Sequence, residues 1–274
     1  MEDNSKKIIF LGTPELSVTI LESLLSAGYK VPLVITSTDK PVGRKQILTP
    51  PPVKTFAESK NLKVIQPEKL GADVLEEIQN SGAELGIVVA YGHIIPQSII
   101  DSLPKGFLNI HYSLLPEFRG ASPVEQSILS GQKETGVTIQ KLVFKLDAGP
   151  IVAVEEFILD NQITTPKLKD KLTQIGADLL VKILPNYLEG KITPKEQNES
   201  KATHCKKINK ADGEIKLSDS DDSKWTKYRA YFGWPGIFYF DKEGKRNKIT
   251  EATLESGKFI IKKIIPEGKK EISL

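Results

Sequence analysis

Residues 109–120 read Asn109-Ile110-His111-Tyr112-Ser113-Leu114-Leu115-Pro116-Glu117-Phe118-Arg119-Gly120 and follow an apolar pair, Phe107 and Leu108. In an extended strand, Asn109 and His111 point to the same face because they lie two positions apart. Ligands of open α/β sheets bind at the carboxyl ends of the strands. The pattern therefore predicts either the floor of a binding site or a strand end with locally satisfied polar side chains, and by itself it leaves both open.

The chain before this stretch begins with a strand–helix–strand pattern. Residues 7–12 predict a buried strand and residues 31–35 a second one. Residues 13–28 between them have the capping residues and the apolar spacing of a helix. The first turn contains Gly12 but no G-x-G-x-x-G pattern, which argues against an enzyme that uses NAD or FAD.

The following strands complete a predicted sheet. Residues 85–90 are apolar throughout, as a central parallel strand requires, and run into the loop 91–96. Residues 135–144 predict a more exposed strand, residues 151–158 its antiparallel neighbour, and a long helix is expected to end at about Glu189. We therefore expect a Rossmann-like α/β domain with a mostly parallel sheet, in which the loop 91–96 lies beside residues 109–116.

A long polar segment, residues 36–54, is called the arm here. It carries Lys40, Arg44, Lys45 and Lys54, and a run of three prolines stiffens its return. Loops of this length in compact domains are usually functional or disordered. The arm is therefore either a solvated loop or a segment that contacts phosphates, and the sequence leaves both open.

The pattern changes after the long helix. Residues 190–207, called the linker here, have neither helical nor strand periodicity. Beyond a helix near residues 223–231, short alternating segments predict a small antiparallel, OB-like β-barrel rich in lysine. The predicted organisation is thus a catalytic domain over residues 1–189, the linker over 190–207 and a basic β-barrel over 208–274.

Composition narrows the class of protein. Hydrophobic residues make up 39% and charged residues 27%, the balance of a globular chain, and a net charge of +3 permits a nucleic-acid partner without requiring one. Cys205 is the only cysteine and the three histidines are scattered, so we expect neither a disulfide nor a metal site. With no leader pattern and no apolar run near the roughly 20 residues of a membrane span, we expect a cytoplasmic protein.

Together these motifs resemble the folate-dependent formyltransferases. The resemblance rests on Asn109-x-His111-x-Ser113-Leu114-Leu115-Pro116-x-x-Arg119-Gly120, on Thr135-Gly136-Val137-Thr138-Ile139 and on Leu146-Asp147-x-Gly149. Further motifs are similar to those of the methionyl-tRNA formyltransferases within that superfamily. They are Phe10-Leu11-Gly12-Thr13-Pro14, Lys40-Pro41-Val42-Gly43-Arg44, Pro52-Val53-Lys54, Ala90-Tyr91-Gly92, Ala202-Thr203, Ile208-x-Lys210-x-Asp212-Gly213 and Trp234-Pro235-Gly236. The similarity extends from Ile8 to about Lys270.

The resemblance implies transfer of a formyl group from 10-formyltetrahydrofolate to the α-amino group of initiator methionyl-tRNA. It assigns the catalytic roles to Asn109, His111 and Asp147. Asn109 and a protonated His111 would donate to the developing oxyanion. Asp147 would orient the imidazolium and help to move the proton.

The resemblance also implies binding residues. The folate slot would be formed by Ala90, Tyr91, Gly92, Ile94, Ile95, Ser113, Leu114, Leu115, Pro116, Phe144 and Leu146. The acceptor stem of the tRNA would contact Lys40, Arg44, Lys45, Arg246 and Lys248. We expect a monomer that needs no metal and binds no membrane.

Two departures from the family pattern concern the tRNA contacts. The resemblance leads us to expect a shortened C-terminal barrel, and Leu217 stands where the family commonly has Trp. Three alternatives therefore remain: a sugar-nucleotide N-formyltransferase with the same folate chemistry, a purine-pathway transformylase, and a non-catalytic protein that binds tRNA or folate. The second is disfavoured by the extra C-terminal unit, and the third by the intact catalytic set.

Overall fold

The structure is a computed structural model and describes residues 6–43 and 45–274. Its strands are β1 (Ile8–Gly12), β2 (Val34–Ile35), β3 (Lys40–Val42), β4 (Ile47–Thr49), β5 (Val64–Ile65), β6 (Leu85–Val89), β7 (Phe107–His111), β8 (Arg119–Gly120), β9 (Glu134–Lys141), β10 (Ile151–Ile158), β11 (His204–Cys205), β12 (Ile237–Phe240), β13 (Arg246–Glu255), β14 (Lys258–Pro266) and β15 (Ile272–Ser273). Its α-helices are α1 (Glu15–Ser26), α2 (Pro52–Ser59), α3 (Ala72–Asn80), α4 (Gln97–Ile100), α5 (Pro123–Leu129), α6 (Thr165–Leu188) and α7 (Asp221–Ala230).

The larger sheet confirms the predicted α/β class. Within the described residues, seven strands pair in the order β10-β9-β7-β6-β1-β2-β5. The five strands from β7 to β5 are mutually parallel, whereas β9 runs antiparallel to β7 and β10 antiparallel to β9. The sheet is therefore mostly parallel, with two antiparallel strands at one edge.

The core lies on both faces of this sheet. β1 and β6 are buried along their whole length, which explains why they contain no alternating polar residues. One face packs against α1 and α6, and Gly176 lets α6 approach Ile110 and Val137 closely. The other face is covered by a second apolar cluster that includes Val74, Ile78 and Ile99. Because the sheet is buried on both faces, the ends of its strands have fixed positions. The side chains at these ends are therefore also held in place.

One strand differs from its prediction. β9 is buried from Thr135 to Gln140, although the sequence predicted it to be more exposed than the earlier strands. It lies between β7 and β10, and Val137 and Ile139 belong to the apolar core beside α6. The polar side chains that alternate with them are buried on the other face of the strand. Thr138 and Gln140 tolerate this burial because both form internal hydrogen bonds.

The arm is structured rather than open. β3 and β4 pair as an antiparallel hairpin that starts at Lys40 and ends at Thr49. The apolar side chains of Val42, Ile47 and Leu48 on this hairpin are exposed. The arm thus presents an apolar and basic hairpin at the surface, beside the start of α2.

The C-terminal unit is a four-stranded antiparallel sheet in the order β12-β13-β14-β15, which confirms the predicted antiparallel class. α7 packs against this sheet, where the Tyr228 ring meets the edge of Phe259. The domain boundaries stay a prediction, but the linker is not free-standing, because β11 pairs with β8 and Lys195 forms a bridge with Ile151. None of the helices in the described part of the chain is long and apolar enough to cross a membrane.

Candidate active site

The sheet brings Asn109 and His111 to the carboxyl end of β7. Pairing with β9 places Gln140 opposite Asn109 and Thr138 opposite His111. The hydroxyl of Thr138 donates to the carbonyl of Ser113 at 2.7 Å and accepts from the backbone N–H of Leu115 at 3.1 Å. Residues 113–115 are therefore held by β9, the strand that pairs with the one carrying Asn109 and His111.

Asp147 joins this pair from the turn that connects β9 to β10. Its Oδ1 atom lies 3.6 Å from Nδ1 of His111 and 3.5 Å from Nδ2 of Asn109. The side chains of His111 and Asp147 are both buried. The structure thus brings Asp147 to Asn109 and His111, although it lies 38 residues after Asn109 along the chain.

The ring of His111 has a defined orientation. Its Nε2 atom lies 3.0 Å from the carbonyl oxygen of Phe118. A carbonyl can only accept a hydrogen bond, so Nε2 carries a proton and Nδ1 is the nitrogen that faces Asp147. A second proton on Nδ1 would make His111 a charged donor beside the carboxylate.

The carboxylate of Asp147 is fixed by groups that the sequence did not indicate. Gln140 donates to Oδ1 at 3.0 Å, and the backbone N–H of Gly120 donates to Oδ2 at 2.9 Å. Gly120 has φ +125°, and a Cβ there would overlap the carbonyl of Cys205, so this donor requires glycine. Gln140 lies opposite Asn109 because β9 pairs with β7, a pairing that the sequence did not predict.

Gln197 of the linker is a further residue that the sequence did not reveal. Its amide nitrogen donates to the backbone carbonyls of Asp147 at 2.9 Å and Gly149 at 2.7 Å. The linker lacks periodicity, so no local pattern could have pointed to this contact.

The predicted folate residues occupy two environments. Tyr91, Ile95 and Leu115 are buried, and burial raises the pKa of the Tyr91 hydroxyl to about 12. Ser113 is fully buried and its hydroxyl donates to the carbonyl of Glu117 at 2.6 Å, so it shapes its own turn. The other predicted residues are partly or largely accessible: Ala90, Gly92, Ile94, Leu114, Pro116, Phe144 and Leu146.

Three of the accessible predicted residues have large apolar side chains. Ile94, Phe144 and Leu146 are strongly exposed on the loops that follow β6 and β9. Exposed large apolar side chains that converge near polar groups are typical of ligand sites. A cavity of about 370 Å³ lies between α4 and the segment that includes Leu142 and Val143, but none of the predicted folate residues lines it.

The predicted tRNA-binding residues are distributed over two surfaces. Lys40 and Lys45 are exposed on the hairpin of the arm, whereas Arg44 lies outside the described residues. Arg246 and Lys248 are half-buried on β13, where the guanidinium of Arg246 lies 4.1 Å from the centre of the Phe238 ring. Within residues 6–43 and 45–274, no cluster of His, Cys, Asp or Glu is arranged to hold a metal ion.

A second chain of hydrogen bonds crosses the same edge of the sheet. Thr13 donates to the carbonyl of Tyr91 at 3.1 Å and lies 3.0 Å from the hydroxyl of Ser37, which lies 3.1 Å from Nε2 of His93. His93, in the loop 91–96, is thereby tied to the ends of β1 and β2.

Comparison with known proteins is consistent with this geometry. Residues 6–184 match the family model described as formyl transferase. The methionyl-tRNA formyltransferase of Bdellovibrio bacteriovorus is 43% identical over 90% of this chain and 79% of its own length. That of Listeria innocua is 43% identical over 92% of this chain and 80% of its own length.

Solved structures share the fold at lower identity. The N-formyltransferase from Helicobacter canadensis, solved with folinic acid and dTDP-3-aminofucose, has a TM-score of 0.71 at 20% identity and covers 98% of both chains. A 4-N formyltransferase from Francisella tularensis has a TM-score of 0.69 at 21% identity, covering 88% of this chain and 95% of its own. On the match to the family model and the identity to curated relatives, the chain belongs to the formyl transferases, in the methionyl-tRNA formyltransferase family.

Proposed function

We propose that this chain transfers a formyl group from 10-formyltetrahydrofolate to the α-amino group of initiator methionyl-tRNA. The observation that carries the proposal is the convergence of Asn109, His111 and Asp147 at one strand end. It occurs in a chain that is 43% identical to a methionyl-tRNA formyltransferase over 90% of its length. We further propose that the protein acts in the cytoplasm as a monomer.

The mutual distances in the triad leave two donors available. Hydrogen bonds between nitrogen and oxygen are usually 2.7–3.2 Å long. The contacts of Asp147 Oδ1 with Asn109 and His111, at 3.5 and 3.6 Å, are longer than this range. Asn109 Nδ2 and a protonated His111 Nδ1 can therefore donate to a new acceptor, the oxygen of the formyl group as it becomes negatively charged.

The proton has a path through Asp147. When the amine forms its bond to the formyl carbon, the amine nitrogen gains positive charge and must lose a proton. The Asp147 carboxylate, directly or through one water, can accept that proton and pass it to the departing nitrogen as the old carbon–nitrogen bond breaks. Because Gln140 and Gly120 already hold this carboxylate, it need not reorient during the step.

The two co-substrates would approach from different sides. Folate supplies the activated formyl group, and the exposed Ile94, Phe144 and Leu146 would pack against its ring system. The acceptor stem would contact Lys40, Arg44 and Lys45 of the arm, with Arg246 and Lys248 of the C-terminal sheet contacting phosphates farther away.

The test is formylation of methionyl-tRNA by Asn109→Ala and Asp147→Ala, with Asp170→Ala on the exposed side of α6 as the control. Loss of one oxyanion donor typically lowers kcat about 100- to 1000-fold, so we expect at least this loss for Asn109→Ala. Formylfolate affinity should change little because neither side chain is assigned to the folate slot. Near-normal turnover of both variants would refute the mechanism.

The competing acceptor is a 4-amino-4-deoxy sugar nucleotide, because structures named as sugar N-formyltransferases share the fold. A competition assay with methionyl-tRNA and the amino sugar nucleotide separates the two. We expect product on the tRNA; preferential formylation of the sugar would overturn the proposed substrate while leaving the site chemistry intact.

A further inference from the structure

Gln197 lies at the centre of a buried network that the reaction itself does not call for. The residue belongs to the linker and is 8% exposed. Its amide nitrogen donates to the carbonyls of Asp147 and Gly149 and lies 3.3 Å from Oε1 of Gln140. Gln140 in turn donates to the Asp147 carboxylate. One side chain from the linker thus touches the backbone on both sides of Ala148 and the residue that orients the carboxylate.

The orientation of the Gln197 amide is determined by its partners. Its oxygen accepts from Nε of Arg119 at 3.0 Å and from Nη2 of the same residue at 2.8 Å. A flipped amide would place its NH₂ group against a guanidinium and its oxygen against two carbonyls. The network therefore accepts one arrangement only, with the donor end toward the turn that contains Asp147.

Arg119 connects this arrangement to the surface. It is 1% exposed and also donates to Glu199, at 3.2 Å from Nη1 and 2.9 Å from Nη2. Glu199 accepts from Lys145 as well, at 2.9 Å. The linker therefore binds the turn at two places: Gln197 holds its backbone and Glu199 holds Lys145.

The turn that contains Asp147 needs stabilising contacts from other segments because its backbone is in an uncommon conformation. Asp147 has φ +48°, in the left-handed region that non-glycine residues rarely adopt. Such a residue persists where surrounding contacts determine its conformation. Gln197 binds the carbonyl of Asp147 itself and that of Gly149, so the linker contributes directly to where the Asp147 carboxylate lies relative to His111.

We propose that Gln197 is a positioning residue for formyl transfer, which acts by holding the Asp147 turn through the linker. This inference rests on the role of Asp147 in the proposed function. Gln197 touches no reacting atom; it fixes the backbone from which the carboxylate projects. Glu199 supports it by neutralising Arg119 and holding Lys145. The segment between the two units of the chain is therefore part of the catalytic apparatus and more than a tether.

The experiment measures kcat and both KM values for full-length Gln197→Met, which keeps the length of the side chain but removes its donor and acceptor. The matched control is Asn198→Ala, an exposed neighbour whose side chain bonds only to Ser200 among the contacts described. A misplacement of about 1 Å can cost about 100-fold in rate, so we expect kcat to fall at least about 10-fold with both KM values within about 3-fold. The control should retain wild-type kcat.

Thermal unfolding and titration with formylfolate measure the fraction of each variant that is folded. If kcat per folded molecule of Gln197→Met equals that of wild type, the inference is overturned, since a merely structural role lowers stability alone. If that variant does not fold, the exposed Glu199→Ala decides: lower kcat with unchanged KM supports the proposal, and unchanged kcat overturns it. Each variant is compared with wild type on whichever amine wild type formylates, so failure of methionyl-tRNA as substrate refutes only the proposed function.

Discussion

The Asp147 carboxylate is held more firmly by its supporting groups than by Asn109 and His111, the residues beside which it is proposed to act. Its contacts with Gln140 and Gly120 are 3.0 and 2.9 Å, whereas those with Asn109 and His111 are 3.5 and 3.6 Å. Preorganised sites have this character, since the support is complete before the substrate arrives. The supporting residues should therefore affect both rate and stability.

Gln140→Leu tests this at a residue that is 1% exposed. The substitution removes the donor to Asp147 and leaves the N–H of Gly149 without its acceptor. A buried group left unsatisfied costs about 1–3 kcal/mol, so the free energy of unfolding should fall by about that amount. Denaturant unfolding measures the stability loss and single-turnover formylation the rate. Unchanged rate with reduced stability would contradict a positioning role for Gln140.

Glu199 should make stability depend on pH in the acid range. Hydrogen bonds from Arg119 and then Lys145 lower its pKa from 4.5 to about 2. A depressed carboxyl pKa contributes stability that is present above the unfolded-state pKa, near 4.5, and is lost as the pH falls through about 2. Wild type should therefore be more stable than Glu199→Gln at pH 7, and the difference should shrink between pH 4.5 and 2.

Parallel urea titrations of both chains across that pH range provide the measurement. The expected difference is small because the Glu199 side chain is 58% exposed and solvent weakens its ion pairs. A gap between the two chains that stays constant down to pH 2 would show that the ion pair with Arg119 does not stabilise the fold.

The tautomer of His93 follows from counting protons along its hydrogen-bond chain. Thr13 must donate to the carbonyl of Tyr91, so it accepts from Ser37, and Ser37 then accepts from Nε2 of His93. Neutral His93 should therefore carry its proton on Nε2. Nitrogen-15 NMR of the ring distinguishes the tautomers, and a spectrum of the Nδ1-protonated form in wild type would contradict the chain of donors. Ser37→Ala should remove the preference.

At the scale of elements, the periodicity of the sequence predicts strands and helices. It does not predict features that depend on pairing between segments remote in sequence. The buried runs of β1 and β6, the long helix and the antiparallel C-terminal strands each have a local signature, and the structure confirms them. The burial of β9 depends on its place between β7 and β10, which no local pattern encodes. The same is true of Gln197, whose partners lie about fifty residues earlier in the chain.

In the candidate site too, some residues could be predicted from local motifs and others could not. The triad could be predicted because Asn109, His111 and Asp147 lie in recognisable motifs. The residues that support it could not, because the donors to Asp147 come from β9, from β8 and, through its backbone, from the linker. Specific hydrogen bonds between segments remote in sequence are a property of the packed structure.

Gly149→Ala tests the close packing of the turn against β9. A Cβ at Gly149 would overlap the carbonyl oxygen of Lys141, so the turn must shift. Overpacking of this kind typically costs about 1–3 kcal/mol, and the shift should carry Asp147 out of place and lower kcat. Gly71→Ala is the control, because a Cβ there meets only the end of the Asp73 side chain. Equal thermal stability and activity in the two variants would contradict the packing.

At the scale of the whole molecule, the basic side chains proposed to contact RNA occur on two surfaces, the hairpin of the arm and the C-terminal sheet. Lys40 and Lys45 are exposed on the first, and Lys248 is half-buried on the second. If one tRNA spans both surfaces, each contributes phosphate contacts to a single binding event. The dependence of affinity on salt then measures the sum of these contacts, since each neutralised phosphate releases counterions.

We expect the contributions of the arm and the C-terminal sheet to the salt dependence of tRNA affinity to be additive. Removing one phosphate contact lowers the slope of log K against log salt concentration by about 1, so Lys45→Ala and Lys248→Ala should each do so, and the double variant should lose about 2. Lys182→Ala, on the exposed side of α6, changes the net charge equally and should leave the slope unchanged. Fluorescence titration of methionyl-tRNA at several salt concentrations gives the slopes. A double variant with the slope of one single variant would mean that the arm and the C-terminal sheet do not contact the same bound RNA.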